Sequence, residues 1–291
     1  MNAAYVKYIA SLLLFGTNGI VASYIALASC DIVLLRTFIG SILLIGIFLL
    51  LRGKFTFFRF KKDFLFLILS GVTMGTYWMF VYEAYQQIGV GLTSLAYACG
   101  PIIVMILSPV LFREKLTWSK IAGFAAVVLG MIFVSGQAVV SGTTAFGLFC
   151  GAMSAIMYAV MIIFNKKAKN ITGLENATLQ LFISFLTVAV FVGLTHGLIF
   201  EIRSGDLLPI LILGVVNTSI GCYLYFSAIG KLSVQTVAIC DYIEPLSAVI
   251  FAGLLLQEVL LPLQVLGAVL IIGGAVFGET YLTIKKHCRV S

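Results

Sequence analysis

Three acidic residues of this sequence lie inside long apolar stretches. Asp241 and Glu244 are three residues apart, so on a helix their side chains share one face, and Glu83 lies near the end of an earlier apolar stretch. An acidic side chain at membrane depth costs about 2.5–3.5 kcal/mol on insertion scales, so it usually marks a transport pathway or a proton relay. We expect Glu244, Asp241 and Glu83 to take part in proton coupling, because two adjacent carboxylates cannot easily both ionise. For Glu83, the alternative is an acid that reaches the lipid headgroups.

Two prolines lie near the middle of apolar stretches. Because proline has no backbone N–H, Pro101 and Pro245 should leave the carbonyl groups of Tyr97 and Asp241 without their helical hydrogen bonds. A free carbonyl at membrane depth is tolerated only where it is buried in protein or lines a wet cavity. The pair therefore predicts two interrupted helices at a substrate site, the alternative being simple kinks packed against neighbouring helices.

An aromatic cluster accompanies Glu83. Trp78 and Tyr82 lie within about two helical turns of it, and aromatic rings beside a carboxylate can hold a primary or quaternary ammonium group. The alternative is a belt of aromatic side chains at the membrane–water interface. Arg36, in another apolar stretch, either pairs with one of the acids or extends toward the interface.

Two asparagines, Asn18 and Asn217, add polar groups to apolar stretches, where they either orient a substrate or tie helices together. The candidate substrate-binding residues are therefore Asn18, Trp78, Tyr82, Glu83, Tyr97, Asn217, Asp241 and Glu244.

The composition indicates the setting in which these residues must work. Hydrophobic residues make up 62% of the 291 residues and charged residues 10%, against about 25% charged residues in soluble domains. The net charge of +7 is carried in short gaps between apolar stretches, which argues against a nucleic-acid partner. The sequence has no HExxH, GxSxG or phosphate-loop motif and no CxxC pair, so we expect no enzyme activity, no cofactor and no metal site.

Ten apolar stretches are long enough to cross a bilayer, which takes about 20 residues each. They predict an all-α membrane protein of ten transmembrane helices, numbered here as spans 1 to 10. The predicted spans are residues 6–27, 32–51, 64–85, 89–112, 121–139, 146–164, 177–198, 208–230, 234–256 and 263–282.

The basic residues indicate the orientation of these spans. If the N-terminus is inside, sixteen of the eighteen basic residues, all except Arg36 and Arg203, lie on the inner side. This distribution follows the positive-inside rule and predicts a plasma (inner) membrane protein with both termini in the cytoplasm.

A repeat divides the chain into halves. Four residues, Pro101, Glu114, Gly123 and Gly130, recur 144 positions further on as Pro245, Glu258, Gly267 and Gly274. Each half holds five spans, an odd number, so the second half must be inverted relative to the first. We predict a first repeat over residues 1–140, a second over 145–284 and a basic cytoplasmic tail over 285–291. We expect the two glutamates to cap helix N-termini and the glycines to permit close helix contact.

Two stretches carry a resemblance to a known family. They read AYACGPIIVMILSPVLFREKLTWSKIAGFAAVVLG in the first half and DYIEPLSAVIFAGLLLQEVLLPLQVLGAVLIIGG in the second. The chain resembles the EamA type of the drug/metabolite transporter superfamily. The resemblance implies a ten-helix carrier that moves small metabolites, often amino acids and their relatives, by alternating access. Two positions depart from the pattern: Pro262 stands where the first half has Trp118, and Asp241 is an unexpected acid.

Together these features predict a secondary transporter of a small cationic or zwitterionic metabolite, with export favoured and with coupling either to protons or to another gradient. An anionic substrate would need basic groups that only Arg36 could offer. Import of a quaternary amine such as choline, and a channel-like facilitator, are the alternatives. The expected partners are the substrate and the lipid bilayer, and the working unit is a monomer or a homodimer.

Overall fold

The chain folds into helices that match the predicted spans. The structure is a computed structural model that describes residues 3–97, 99–135, 145–195, 197, 201–255, 262–263, 265–267, 269–274 and 277, and no strand occurs among these residues. Six helical stretches are long and apolar enough to cross a membrane: Ala3–Ser23, Ser29–Leu50, Lys61–Gly89, Ala145–Lys167, Gly173–Thr195 and Ser204–Ile229. They are spans 1, 2, 3, 6, 7 and 8.

The other four spans are shorter or interrupted. Span 3 and the first part of span 4 form one stretch, Lys61–Tyr97, which turns at Gly89, where φ is 75°. Only glycine adopts this left-handed conformation without strain. The remaining segments are Cys99–Phe112 in span 4, Trp118–Ser135 as span 5, and Val234–Cys240 with Ile243–Leu255 as span 9. The described residues of span 10, between 262 and 277, are helical. The ten-span prediction is therefore confirmed.

Contacts between helix ends define two ends of the molecule. We call the end that carries the links 51–60, 113–117, 168–172 and 230–233 the basic end. There Lys166, near the C-terminus of span 6, donates to the carbonyl groups of Ile229, at 2.6 Å, and Leu232. At the opposite end, the chain leaving span 1 donates from Ala26 N to Asp206 Oδ1 at 3.1 Å. Spans 1 and 6, the first of each repeat, therefore run in opposite directions, as inverted repeats require.

The repeated glutamate of the first half is a helix cap, but not of the helix that follows it. Glu114 accepts hydrogen bonds from the backbone N–H groups of Val234, at 2.8 Å, and Gln235, at 3.1 Å. These are the first residues of span 9, in the other repeat, so the expected cap is present but on a helix that is distant in the sequence. The carboxylate satisfies free N–H groups and meets the positive end of the helix dipole. Its counterpart Glu258 and the tail 285–291 lie outside the described residues.

The repeated glycines bring spans 5 and 10 into backbone contact. A Cβ atom at Gly130 would lie 2.6 Å from the carbonyl oxygen of Gly267, and one at Gly274 would lie 2.6 Å from that of Gly123. Such distances leave no room for a side chain. The glycines therefore serve close packing between the two repeats, as predicted.

Three further acids connect the repeats at the ends of the spans. Glu175, in the first turn of span 7, accepts from the backbone N–H groups of Thr56 at 2.6 Å and Phe57 at 3.1 Å. Asp63 accepts from the backbone N–H of Asn170 at 2.8 Å, and Asp206 accepts from Ala26. Each acid belongs to one repeat and each backbone donor to the other. These carboxylates hold the halves together outside the apolar core.

Candidate functional site

A small cavity lies between the two repeats. Its volume is about 30 Å³, enough for about two water molecules, and its walls come from spans 1, 3, 4, 6, 8 and 9. The walls are mostly aromatic and apolar, with two strongly polar side chains. The residues that line the cavity are Phe15, Asn18, Met74, Tyr77, Trp78, Tyr97, Tyr158, Met161, Cys222, Tyr225, Phe226 and Glu244.

Glu244 brings the one carboxylate to this cavity among the residues that the structure describes. It lies in the first turn of the helix Ile243–Leu255 and is half-buried. The hydroxyl of Tyr97, in span 4, lies 3.5 Å from its Oε2, at the limit of a hydrogen bond. The carboxylate is thus only weakly held by the protein, which leaves its oxygens available to a ligand.

Asp241 lies behind the cavity wall and not in it. The residue is 3% exposed, and its two carboxylate oxygens accept hydrogen bonds from the hydroxyl groups of Tyr8 and Tyr158. The hydroxyl groups of Tyr158 and Tyr225 are 3.4 Å apart, and the rings of Tyr8 and Tyr225 lie 5.1 Å apart. We call Asp241 with these three residues the tyrosine cluster. It joins spans 1, 6, 8 and 9, so Asp241 and Glu244 do not share one cavity as their spacing predicted.

Span 9 is interrupted where the sequence predicts, beside Pro245. Two residues, 241 and 242, separate the helix Val234–Cys240 from the helix Ile243–Leu255. The carbonyl group of Asp241 accepts from the N–H of Glu244 at 3.1 Å, so the prediction that it stays free was wrong. The tighter turn, made with the residue three positions on, replaces the bond that proline cannot form. In span 4, Pro101 is buried in the first turn of Cys99–Phe112.

Span 1 has a break that the sequence analysis missed. Its helix stops at Phe15 and resumes at Asn18, and Gly16 packs directly against span 9. A Cβ atom at Gly16 would lie 2.9 Å from the carbonyl oxygen of Glu244. The interruptions of spans 1 and 9 therefore meet beside the cavity. Irregular backbone at membrane depth is expected only in such a setting.

Arg36 is buried in span 2, and its described hydrogen-bond and ring partners are neutral groups. The residue is 1% exposed, and its Nε donates to Thr218 Oγ1 at 2.9 Å. Nη1 donates to the hydroxyl of Tyr82, and Cζ lies 4.3 Å from the centre of the Trp78 ring. Nη2 is buried and has no hydrogen-bond partner among the residues that the structure describes. We call Arg36 with Trp78, Tyr82 and Thr218 the arginine site. Arg36 therefore does not extend to the interface, and none of its described hydrogen bonds goes to an acid.

The aromatic rings near Glu83 do not surround its carboxylate. Trp78 and Tyr82 are 6% and 3% exposed, and both lie against the Arg36 guanidinium. Glu83 is directed elsewhere: it accepts from Ser29 Oγ at 2.5 Å and from Gln87 Nε2 at 3.0 Å. The structure therefore separates the carboxylate from the rings that were expected to act with it. The adjacent faces of a single helix could not reveal this, because the partners come from other spans.

Asn217 ties spans 8 and 1 together. Its Nδ2 lies 3.0 Å from Leu14 O, 2.7 Å from Thr17 Oγ1 and 3.0 Å from Asn18 Oδ1, at the break in span 1. The residue sits on a π-helical stretch, Ile212–Ile220, a rare conformation that is frequent at functional sites. The tie favours the structural alternative for Asn217, whereas Asn18 also lines the cavity.

Sequence reasoning missed several residues of this region. Tyr8 and Tyr158 donate to Asp241, and the hydroxyl of Tyr225 lies 3.4 Å from that of Tyr158. A signal was present, because Tyr158 lies in the middle of the helix Ala145–Lys167, and an interfacial tyrosine belongs near a span end.

Ten helices in two inverted repeats, with a cavity between the repeats and interrupted helices beside it, are the architecture of a membrane transporter and not of an enzyme. The sequence pattern of the EamA-like transporter family matches this chain twice, over residues 3–136 and 145–278. The chain belongs to this family and is an integral membrane protein.

Relatives agree with this assignment. An uncharacterized transporter of Bacillus subtilis is 23% identical over 257 residues, which cover 86% of this chain and 80% of that protein. A probable amino-acid metabolite efflux pump of Salmonella typhimurium is 26% identical over 217 residues, covering 69% of this chain and 71% of that protein. A solved structure superposes with a TM-score of 0.81 at 16% identity, covering 94% of this chain and 97% of that chain, and thus shares the fold.

Proposed function

We propose that this protein exports small metabolites that carry an ammonium group, amino acids or related amines, by alternating access. The observation that carries the proposal is Glu244, a half-buried carboxylate facing an aromatic cavity between the repeats. The name of the Salmonella relative supports amino-acid metabolites as the substrate class and efflux as the direction.

The surroundings of Glu244 suit an ammonium group. Tyr77, Tyr97 and Tyr225 line the same cavity, and the faces of aromatic rings attract cations by about 0.5–2 kcal/mol each. The carboxylate adds a charge-assisted hydrogen bond worth about 1.5–3 kcal/mol. A cavity of about 30 Å³ is too small for a metabolite, so binding requires the repeats to move apart. In alternating access, one repeat moves relative to the other around the binding site.

Glu244 is also the proposed coupling site. A carboxylate that binds either a proton or the substrate ammonium, but not both, exchanges one for the other across the membrane. Asp241 and Glu83 do not line the cavity, so their proposed contribution is to position helices. The cavity is formed within one chain, so a monomer suffices for transport. A choline importer has less support, because the Trp78 ring on which it depended lies against Arg36.

We further propose that the protein lies in the inner membrane with the basic end and both termini in the cytoplasm. The described basic residues at that end are Arg52, Lys54, Arg59, Lys61, Lys62, Arg113, Lys115, Lys120, Lys166, Lys167, Lys169 and Lys231. A cysteine placed at position 58 should react with membrane-impermeant reagents only after cell lysis, and labelling in intact cells would contradict this orientation.

Transport by purified protein in liposomes tests the function. A panel of labelled amino acids, amines and choline is assayed with and without a proton gradient. Glu244→Gln should lower gradient-driven transport at least about tenfold, since it removes a charge-assisted bond worth about 1.5–3 kcal/mol. Glu83→Gln, at the partly exposed contact with Ser29 and Gln87, is the matched control and should retain most activity.

Two results would overturn the proposal. One is a Glu244→Gln protein that transports at the wild-type rate with unchanged pH dependence. The other is flux that rises linearly over a wide range of substrate concentration, which would indicate a channel.

A further inference from the structure

The Arg36 guanidinium has an incomplete set of partners. Two of its nitrogens donate to hydroxyl groups, whereas Nη2 is buried and donates to nothing in the described part of the chain. A buried cation is costly unless it is paired and fully hydrogen-bonded. The partners it has, Thr218, Tyr82 and the Trp78 ring, are all uncharged. Among the described residues, no anionic group provides an oxygen acceptor to the guanidinium, and Nη2 could still donate to such a partner.

Arg36 lies between two cavities, with one aromatic ring on each side. The Trp78 ring contacts the guanidinium and lines the cavity of Glu244. The Tyr82 side chain also contacts it and lines a second cavity of about 260 Å³ toward the opposite end, together with Tyr85 and Gln86. A ligand in either cavity would reach Arg36 after one side chain turns aside.

Span 8 fixes the orientation of the guanidinium. The Thr218 hydroxyl donates to the carbonyl group of Leu213, five residues back, at 2.7 Å, a contact that belongs to the π-helical stretch. Its oxygen is then directed to accept from Arg36 Nε. With Nε held, the edge of the guanidinium formed by Nη1 and Nη2 remains for another partner. That edge matches the two oxygens of a carboxylate.

We propose that Arg36 binds the carboxylate of a zwitterionic substrate while Glu244 binds its ammonium group. The inference rests on the proposed function and narrows it from amines in general to amino acids. Nη2 donates to one carboxylate oxygen, and Nη1 exchanges the Tyr82 hydroxyl for the other. The substrate then neutralises both buried charges at once. A simple amine would leave the charge of Arg36 without a partner from the ligand, and a simple carboxylate would do the same for Glu244.

Ligand analogues test this on the intact wild-type protein. Purified full-length protein is screened by thermal shift against the common amino acids, and the strongest binder is taken further by calorimetry. Its affinity is compared with those of the corresponding decarboxylated amine, carboxamide and deaminated carboxylate. We expect the amino acid to bind at least about tenfold more tightly than each analogue, a difference of about 1.4 kcal/mol in binding free energy.

Three variants test which residue recognises which group of the ligand. Arg36→Gln should lower the affinity for the amino acid at least about tenfold and leave the affinity for the amine within about twofold. Glu244→Gln should lower both. Arg36→Lys keeps the charge but not the paired donors, so it should recover only part of the affinity. If Arg36→Gln does not fold, the analogue series on the wild-type protein decides the question.

The outcomes separate this inference from the proposed function. An amine that binds as tightly as its amino acid, in a manner that depends on Glu244, would overturn the role of Arg36 and leave the proposed function intact. A deaminated carboxylate that binds tightly through Arg36, with no affinity for amines, would support the arginine site and overturn the role of Glu244. Absence of binding by every member of the series would overturn both.

Discussion

The tyrosine cluster and the arginine site each bury a charged group among aromatic side chains, and they differ in how completely that group is satisfied. Both carboxylate oxygens of Asp241 accept from tyrosine hydroxyls that belong to spans 1 and 6. One guanidinium nitrogen of Arg36 has no hydrogen-bond partner within the described ranges of the chain. A buried polar group with all its hydrogen bonds made by the protein rigidifies a fold, whereas one left incomplete is available to a ligand.

Glu244 is three residues from Asp241, but it resembles Arg36 in that the protein satisfies its hydrogen-bonding groups only in part. Its described hydrogen bond is a single long contact with Tyr97, at 3.5 Å. The interruption of span 9 separates the two acids, so that one faces the protein and the other the cavity. We infer that Asp241 mainly supports stability, whereas Glu244 and Arg36 mainly support binding.

The largest expected effect is the loss of stability on removal of Asp241. Asp241→Ala leaves the hydroxyls of Tyr8 and Tyr158 without their acceptor, and each unsatisfied buried group costs about 1–3 kcal/mol. We expect a total loss of about 3 kcal/mol in the free energy of unfolding, measured by denaturant unfolding in detergent.

The matched control is Glu244→Ala, which removes an acid from the same span but only one long contact. It should change the free energy of unfolding by less than about 1 kcal/mol. Asp241→Asn keeps an acceptor oxygen and should fall between the two. Equal losses for both alanine variants would remove the distinction between the two acids.

A smaller effect separates two tyrosines whose rings lie 5.3 Å apart. Tyr158→Phe removes a donor to the buried Asp241 carboxylate and should cost about 1.5–3 kcal/mol of stability, as hydrogen bonds to charged groups do. Tyr97→Phe removes only the contact of 3.5 Å with Glu244 and should cost less than about 0.5 kcal/mol. Melting of the two purified variants checks this, and a Tyr97→Phe loss as large as that of Tyr158→Phe would contradict it.

The sequence predicted those features that depend on a local pattern of residues or on the internal repeat. Span lengths follow from apolar runs, the inverted halves from the 144-residue spacing, and the contact of Gly130 with span 10 from the repeated glycines. The break at Pro245 follows from proline chemistry. Each of these depends on residues close together in the chain or on an equivalent position in the other half.

The features that sequence reasoning missed depend on which helices become neighbours. The pattern around Trp78 did not reveal that its partner is Arg36, because that contact depends on how spans 2 and 3 are rotated against each other. Glu114 caps a helix 120 residues further on, which no local motif indicates. The π-helical stretch around Thr218 follows from no local sequence motif. Some of its contacts, such as that of Thr218 with Arg36, come from another span.

Of the losses of stability expected for Asp241→Ala, Tyr158→Phe and Thr218→Val, the smallest is that of Thr218→Val, at the residue that holds the arginine site in place. Thr218→Val preserves shape but removes the acceptor of Arg36 Nε and the bond to Leu213, so it should cost about 1 kcal/mol of stability. Amino-acid affinity should fall more than stability suggests, because the guanidinium loses its fixed orientation. Thr218→Ser keeps the hydroxyl and should retain both properties. If Thr218→Val lowered stability as much as Asp241→Ala while affinity stayed the same, Arg36 would belong with Asp241 as a structural charge, and the contrast between the two sites would fail.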